Sequence, residues 1–159
     1  MSEARTVHVR AGHDDVHDVF GVEHRILVAS EKTGGAATTV EVTIPPGTGS
    51  PLHSDERESL LWYGIEGAID FEAEGERRTL EAGDVIFMER NSRHRFANSG
   101  DRPARALMVA VPGGIEGFFR DAASALRTAP LTQPPSPETL GAFTEVARRY
   151  GIEIYEASA

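Results

Sequence analysis

The sequence contains no cysteine among its 159 residues, and aromatic side chains make up only 7% of it. The lack of cysteine excludes disulfides, thiolate catalysis and cysteine-zinc centres. Basic residues are also scarce, with 16 Lys and Arg against 25 Asp and Glu and a net charge of −9. This balance argues against a nucleic-acid partner and against binding to anionic membrane surfaces.

Long apolar runs are missing as well. No stretch approaches the ~18 consecutive apolar residues of a membrane-spanning helix, and no secretory leader pattern opens the chain. The sequence therefore predicts a cytoplasmic protein with no membrane partner. Its 40% apolar and 26% charged content is typical of a soluble globular domain, and its length allows one domain with a sizeable core.

The central part of the chain is divided into short apolar runs by frequent turns. The run from Ala37 to Ile44 is rich in β-branched residues, which favour strands. Turns are indicated at Glu66-Gly67, at Glu74 to Glu76 and at Ser99 to Asp101. Short strands at such close and regular spacing predict a mainly β protein, an antiparallel sandwich or barrel.

The character of the sequence changes at Pro112. Ile115 to Arg127 shows a helical apolar stripe, and a second helix is predicted after a proline-rich connector from Leu131 to Pro137. Ser136 is suited to cap that helix, and Gly151 to end it. We thus predict a polar segment over residues 1–20, a β-sandwich over 21–112 and a helical extension over 113–159 that packs on the sandwich.

The polar N-terminal segment contains two histidines four residues apart, His13 and His17. This is the helical spacing that would place two ligands on one face. The favoured interpretation is an edge segment with solvated histidines.

Two stretches are more informative. Gly47 to Gly67 combines a proline-glycine corner, a Pro-Leu-His step ending at His53, an apolar run and a turn, whereas Gly83 to Asn98 ends in the run His-Arg-Phe-Ala-Asn. Together they resemble the two motifs of the cupin superfamily, and from about residue 21 to residue 155 the chain is similar to a quercetin-dioxygenase-like cupin. The resemblance implies a jelly-roll (double-stranded β-helix) sandwich. It also implies a homodimer.

The resemblance also implies a ligand set. Metal-binding cupins supply two histidines and a glutamate from the first motif and a third histidine from the second. In this sequence His53 and His94 match the first and last ligands, Asp55 stands at the second histidine, and Leu60 stands at the glutamate. His53, Asp55 and His94 would form the 2-His-1-carboxylate set of non-haem iron oxygenases, and the divalent metal would be Fe, Ni, Mn or Zn. Glu58 shares a strand face with Leu60.

Without a metal, His53 and His94 become candidates for general acid/base catalysis, with Asp55 or Glu58 to orient them. We therefore predict His53, His94, Asp55 and Glu58 as catalytic residues. Glu56, Arg57 and Glu89 are interpreted as solvent-exposed. The substrate-binding candidates are apolar strand residues that would line a pocket between the sheets, or else belong only to the core: Trp62, Phe87, Phe96 and Leu60.

Three functions remain open on this basis. The favoured one is an enzyme acting on a small apolar, aromatic or polyketide-like metabolite by non-redox acid-base chemistry, as a cyclase, isomerase or dehydratase. The second is a metal-dependent dioxygenase of the quercetin-dioxygenase type. The third is a small-molecule binder without catalysis, in which the histidines are pocket residues only. No nucleotide or flavin cofactor is expected.

Overall fold

Two antiparallel sheets enclose the core in the computed structural model, which describes residues 4–12, 15–127 and 135–156. One sheet has the strand order β1-β2-β3-β10-β5-β8 and the other β11-β4-β9-β6-β7. The strands are β1 Val16–Val19, β2 Val22–Val28, β3 Thr38–Ile44, β4 His53–Asp55, β5 Ser59–Glu66, β6 Ile69–Ala73, β7 Glu76–Leu80, β8 Val85–Met88, β9 His94–Ala97, β10 Ala104–Val111 and β11 Ile152–Ile154. The predicted mainly β jelly-roll sandwich is confirmed.

Alternation along the central strands explains this architecture. In β3, Val40, Val42 and Ile44 are fully buried, whereas the residues between them are only partly buried. β10 pairs with β3 on one side and β5 on the other and repeats the pattern, so the three strands present one apolar inner face. Since a strand turns every second side chain to the same side, this face defines the core and fixes the register.

Three helices complete the fold in the described residues: α1 Ser30–Thr33, α2 Glu116–Arg127 and α3 Pro137–Arg149. The predicted cap of α3 is confirmed, because the Ser136 hydroxyl accepts a hydrogen bond from the Thr139 amide at 3.1 Å. Phe118 of α2 packs against Phe143 of α3, with ring centroids 5.8 Å apart. None of these helices is long and apolar enough to cross a membrane.

The strand β1 changes the interpretation of the N-terminal histidines. His17 lies in strand β1 and pairs with His24 of β2, so it is not part of a helix and the helical spacing does not apply to it. His13 lies outside the described residues. The edge position is confirmed, since β1 ends the six-stranded sheet, but His17 is only 19% exposed and its Nε2 lies 2.7 Å from Asp15 Oδ1.

The helical extension and the sandwich are connected through the last strand. β11 pairs with β4, which places residues 152–154 beside the strand that carries His53. β1 likewise lies within the segment predicted for residues 1–20 and belongs to the sandwich sheet. The divisions after residues 20 and 112 stay predictions, and the connector before Pro135 lies outside the described residues.

Candidate metal centre

Two neighbouring strands of the five-stranded sheet bring together the three predicted ligands. His53 and Asp55 lie two residues apart in β4, and His94 is the direct cross-strand partner of His53 in β9. Alternation turns all three side chains inward. Only 3% of the Asp55 and His94 side chains and 14% of the His53 side chain remain exposed.

The ligand atoms converge without touching. Asp55 Oδ2 lies 3.8 Å from His53 Nε2 and 3.6 Å from His94 Nε2, and the three atoms lie within 4.8 Å of one another. These separations are too long for hydrogen bonds. A first-row metal about 2.1 Å from each ligand would hold them roughly 3–4 Å apart, so the two separations between Asp55 and the imidazoles fit such an ion.

Main-chain carbonyls orient both imidazoles. Nδ1 of His53 donates to the Pro51 carbonyl at 2.9 Å, and Nδ1 of His94 donates to the Ser92 carbonyl at 3.0 Å. A carbonyl can only accept, so the proton of each neutral ring is on Nδ1. The Nε2 lone pairs therefore face Asp55, the arrangement that metal-ligating histidines require.

Burial sets the charge of the cluster. Burial lowers the pKa of His53. It also lowers the pKa of His94, and the charge of the nearby His53 acts in the same direction. Burial also raises the pKa of Asp55, against the opposing influence of His94. At neutral pH both imidazoles are therefore uncharged and able to bind a metal, whereas ionised Asp55 has no hydrogen-bond partner for Oδ2 among the described residues.

A cavity of about 60 Å³ adjoins the cluster between the two sheets. Leu60, Trp62 and Phe96 lie in its wall, as predicted from strand alternation, and the Trp62 and Phe96 rings are 5.1 Å apart. Trp62 Nε1 is buried without a hydrogen-bond partner in the described part of the chain. Apart from the cluster, His24 and Ser50, the rest of the wall is apolar, so a ligand here would be oriented by few polar groups.

The prediction for Phe87 was wrong. Its side chain is 62% exposed on the outer face of β8, whereas Met88 on the same strand is buried. A change of one position in strand phase moves every side chain to the opposite face. Phe87 therefore belongs to the outer surface and not to the cavity. Glu89 is exposed, as predicted.

Glu58 lies close to the site but does not line the cavity. It is 4% exposed, and its Oε2 has no hydrogen-bond partner among the described residues. Burial raises the pKa of Glu58 to about 7, with the charge of Asp55 acting in the same direction. The structure does not group Glu58 with the three ligand atoms, and its catalytic role stays a prediction.

A third histidine, His24, lines the cavity and was missed from the sequence. It is 5% exposed, stacks on Phe119 with centroids 4.1 Å apart, and donates from Nδ1 to the Val22 carbonyl at 3.1 Å. The alternation of buried Val22, His24 and Ile26 along β2 is the sequence signal that could have identified it.

The buried His24 makes the fold sensitive to acid. Burial lowers the pKa of His24 to about 4 from an ordinary 6.5. Its stabilising contribution is complete above pH 6.5 and is lost as the pH falls through about 4, which amounts to roughly 3 kcal/mol. We expect urea midpoints measured from pH 7.5 to 4 to fall less steeply in His24→Gln than in the wild type.

The exposed His8 supplies the control, since His8→Gln should follow the wild-type curve. His53 and His94 share the lowered pKa and are present in every protein compared, so the difference between curves isolates His24. Parallel curves for wild type and His24→Gln would contradict the prediction.

A β-sandwich whose inner wall brings two histidines and a carboxylate together is a jelly-roll protein with a candidate metal centre. Residues 40–110 match the family described as "Cupin domain". Over this region, which contains the three candidate ligands, the chain is similar to the cupin superfamily.

Individual relatives extend the comparison. Quercetin 2,3-dioxygenase of Bacillus subtilis (strain 168) is 29% identical over 61% of this chain and 28% of that protein. Tetracenomycin polyketide synthase protein TcmJ of Streptomyces glaucescens is 28% identical over 60% of this chain and 64% of that protein. A Thermotoga maritima structure described as a predicted oxalate decarboxylase is 28% identical, with a TM-score of 0.55 over 57% of this chain and 80% of the other. The chain thus spans less than two thirds of the first two relatives.

Proposed function

We propose that this chain is a metal-dependent cupin enzyme that binds one divalent first-row metal through His53, Asp55 and His94. Its substrate is a small, largely apolar metabolite that reaches this cluster in the cavity. The observation that carries the proposal is the buried Asp55 Oδ2, which has no hydrogen-bond partner within residues 4–12, 15–127 and 135–156 and faces two imidazole nitrogens at 3.6 and 3.8 Å.

A buried carboxylate without a hydrogen bond costs several kcal/mol, and neutral imidazoles at these distances do not compensate for it. A divalent cation between the three atoms would satisfy the carboxylate and both lone pairs at once. The carbonyl bonds of the two rings provide the outer support that metal-ligating histidines usually have.

When bound, the metal would act as a Lewis acid on an oxygen of the substrate. The side chains of the site would hold the ion, exclude water and orient the substrate. His53, Asp55 and His94 would hold the ion, and Leu60, which cannot act as a ligand, would leave a coordination position for the substrate. Trp62 and Phe96 exclude water and fix the plane of an apolar substrate.

Metal content tests the proposal. Untagged protein purified without chelator should contain close to one equivalent of iron, nickel, manganese or zinc by elemental mass spectrometry. Failure to bind any of these metals, even after reloading, would overturn the metal assignment. If a metal is bound, oxygen consumption with flavonoids and catechols would separate the dioxygenase chemistry from non-redox chemistry.

A metal-free acid-base enzyme is the second candidate, favoured by Leu60 at the glutamate position and by Glu58. A carboxyl with a pKa of about 7 exchanges protons readily at neutral pH. In that case His53 and His94 would move protons on the substrate. Turnover that persists in chelator and is lost in His94→Ala would favour this candidate over the metal enzyme.

We also propose that the protein is a homodimer formed through an outer strip of the six-stranded sheet. The strip consists of exposed apolar side chains on three adjacent strands, β10, β5 and β8: Leu61, Tyr63, Val85, Phe87 and Val111. Phe87 lies opposite Leu61, and Val85 opposite Tyr63. A contiguous apolar patch on a chain of net charge −9 is typical of an interface.

Phe87→Glu should convert the dimer to a monomer. In a two-fold interface each substitution occurs twice, so two buried carboxylates would face an apolar patch. We expect the dimer dissociation constant to rise by about 30-fold or more, as for a central aromatic contact. Analytical ultracentrifugation measures it, with Ala142→Glu on the exposed side of α3 as the control. A monomeric wild type would contradict the proposal.

A further inference from the structure

We infer that the groove beside α3 is a second binding subsite, which takes the distal rings of a polycyclic aromatic ligand whose oxygenated head reaches the His53, Asp55 and His94 cluster. The inference rests on the proposed function and extends it to the size and shape of the ligand. It also assigns Phe20 as the partition between the subsite and the cavity.

The size of the inner cavity requires a second compartment. Its volume of about 60 Å³ accommodates only a few water molecules or a similarly small group. Sites for small molecules are usually several times larger, about 300–1,000 Å³. The cavity therefore holds the reacting end of a ligand, and the rest of a larger ligand must lie elsewhere.

The groove supplies that space. It has a volume of about 720 Å³ and lies between α3, the 47–49 loop and the residues around β11. Leu140 of α3 lies in it and is a large apolar side chain that the described residues leave 45% exposed. The other side chains of its wall are apolar or polar in similar number, the apolar ones being Phe20, Pro51, Pro135, Phe143 and Ile154 and the polar ones Thr48, Thr144, Tyr155 and Glu156. This composition favours a flat apolar body with polar substituents at its edge.

The groove and the cavity share a wall. Five residues border both spaces: Phe20, Gly49, Pro51, Phe143 and Ile154. A ligand in the groove is therefore one layer of side chains away from the cavity. Gly49 is part of this layer, and a Cβ there would lie 2.2 Å from the Phe96 carbonyl oxygen, so this glycine packs directly against β9 and leaves no room for a side chain.

Phe20 occupies the partition in a backbone conformation that its residue type avoids. It has φ 51° and precedes Gly21 at φ 84°, in the two-residue turn between β1 and β2. Such turns favour Asn-Gly, and a bulky residue with positive φ is uncommon. Its ring meets Phe143 edge-on with centroids 4.8 Å apart. The turn itself would favour another residue type, so the contact of the ring with Phe143 explains why a phenylalanine stands at this position.

A matched pair of probes tests the subsite. Catechol has one ring, and 1,2-dihydroxyanthraquinone carries the same vicinal diol on a three-ring body. We expect calorimetry on the metal-loaded wild type to show at least about tenfold tighter binding of the three-ring probe, because its additional apolar area is buried in the groove. Leu140→Glu should weaken that probe about tenfold and leave catechol within twofold, while Ala142→Glu on the exposed side of the same helix should change neither.

Phe20→Gly tests the partition, since glycine suits the positive φ and the turn is retained. Trp62 is the only tryptophan in the sequence and lies in the cavity wall, so quenching of its fluorescence reports arrival in the inner cavity. Stopped-flow quenching by the three-ring probe should become several-fold faster in Phe20→Gly.

The outcomes separate the two proposals. A protein that binds neither a metal nor catechol contradicts the proposed function. Metal and catechol binding without any advantage for the three-ring probe, or an advantage that Leu140→Glu leaves intact, overturns the subsite. An unchanged quenching rate in Phe20→Gly overturns the role of Phe20.

Discussion

Asp55→Asn is expected to abolish stoichiometric metal binding and, at the same time, to stabilise the metal-free protein at neutral pH. The metal loses its charged ligand, which should lower affinity at least about 100-fold. The metal-free protein should become more stable because Asn has nearly the same shape as Asp but carries no charge. Its amide can also donate to the Nε2 lone pairs of His53 and His94.

The pH dependence of stability follows from the raised pKa of Asp55, which burial causes. A carboxyl that is easier to protonate in the folded state contributes stability below its ordinary pKa of 3.8, and that stability is lost as the pH rises through the folded value. At pH 8 the buried ionised carboxylate should therefore destabilise the metal-free wild type. The free energy of unfolding of Asp55→Asn should be roughly 1–3 kcal/mol higher at that pH.

Calorimetric titration with zinc or manganese and urea unfolding at pH 5 and pH 8 measure both effects. The exposed Asp101 provides a matched control, since Asp101→Asn should change neither metal affinity nor the pH dependence. An Asp55→Asn variant that keeps wild-type affinity, or that is less stable than the wild type at pH 8 without metal, would contradict the assignment of Asp55 as a ligand.

Leu60→Glu should have the opposite pair of effects. Leu60 lies in the cavity wall at the position where the cupin pattern has a glutamate ligand. A carboxylate there would add a fourth ligand and raise metal affinity by about tenfold or more. Without metal the same carboxyl would be buried in an apolar wall, so the free energy of unfolding should fall by about 2–4 kcal/mol.

Leu60→Gln separates the two contributions. Glutamine has nearly the same volume as glutamate and the same polar burial but no charge, so it should destabilise the metal-free protein without improving metal affinity. Thermal unfolding with and without added metal compares them: the rise in melting temperature on adding metal should be largest in Leu60→Glu. An equal rise in both variants would show that position 60 does not reach the metal.

Much of the fold could be predicted because it depends on local patterns. Alternation in β3 and β5 and the turn residues between strands define the sandwich, and the cap at Ser136 locates α3. The placement of His53 and His94 followed from the two motifs. The prediction for Phe87 was wrong because a strand of four residues shows too little alternation to indicate which side chains point inward. Ile86 was an equally plausible inward residue.

The remaining features depend on contacts between distant parts of the chain. His24 becomes a cavity residue only because Phe119, 95 positions later, stacks on it. The burial of Glu58 and the position of Phe20 against Phe143 likewise require the folded sandwich. The size of the cavity depends on how α2 and α3 pack on the sandwich, and no local pattern contains that information.

The three cavity histidines share one feature that bears on how such a site tolerates mutation. Each donates its Nδ1 proton to a carbonyl two residues earlier in the chain, Pro51 for His53, Ser92 for His94 and Val22 for His24. These partners are main-chain atoms that every residue type provides, so no single side-chain replacement removes them. Substitutions in the cavity wall therefore leave the orientation and tautomer of the three imidazoles unchanged. The shape of the cavity can change to suit new ligands while the histidines keep their chemistry.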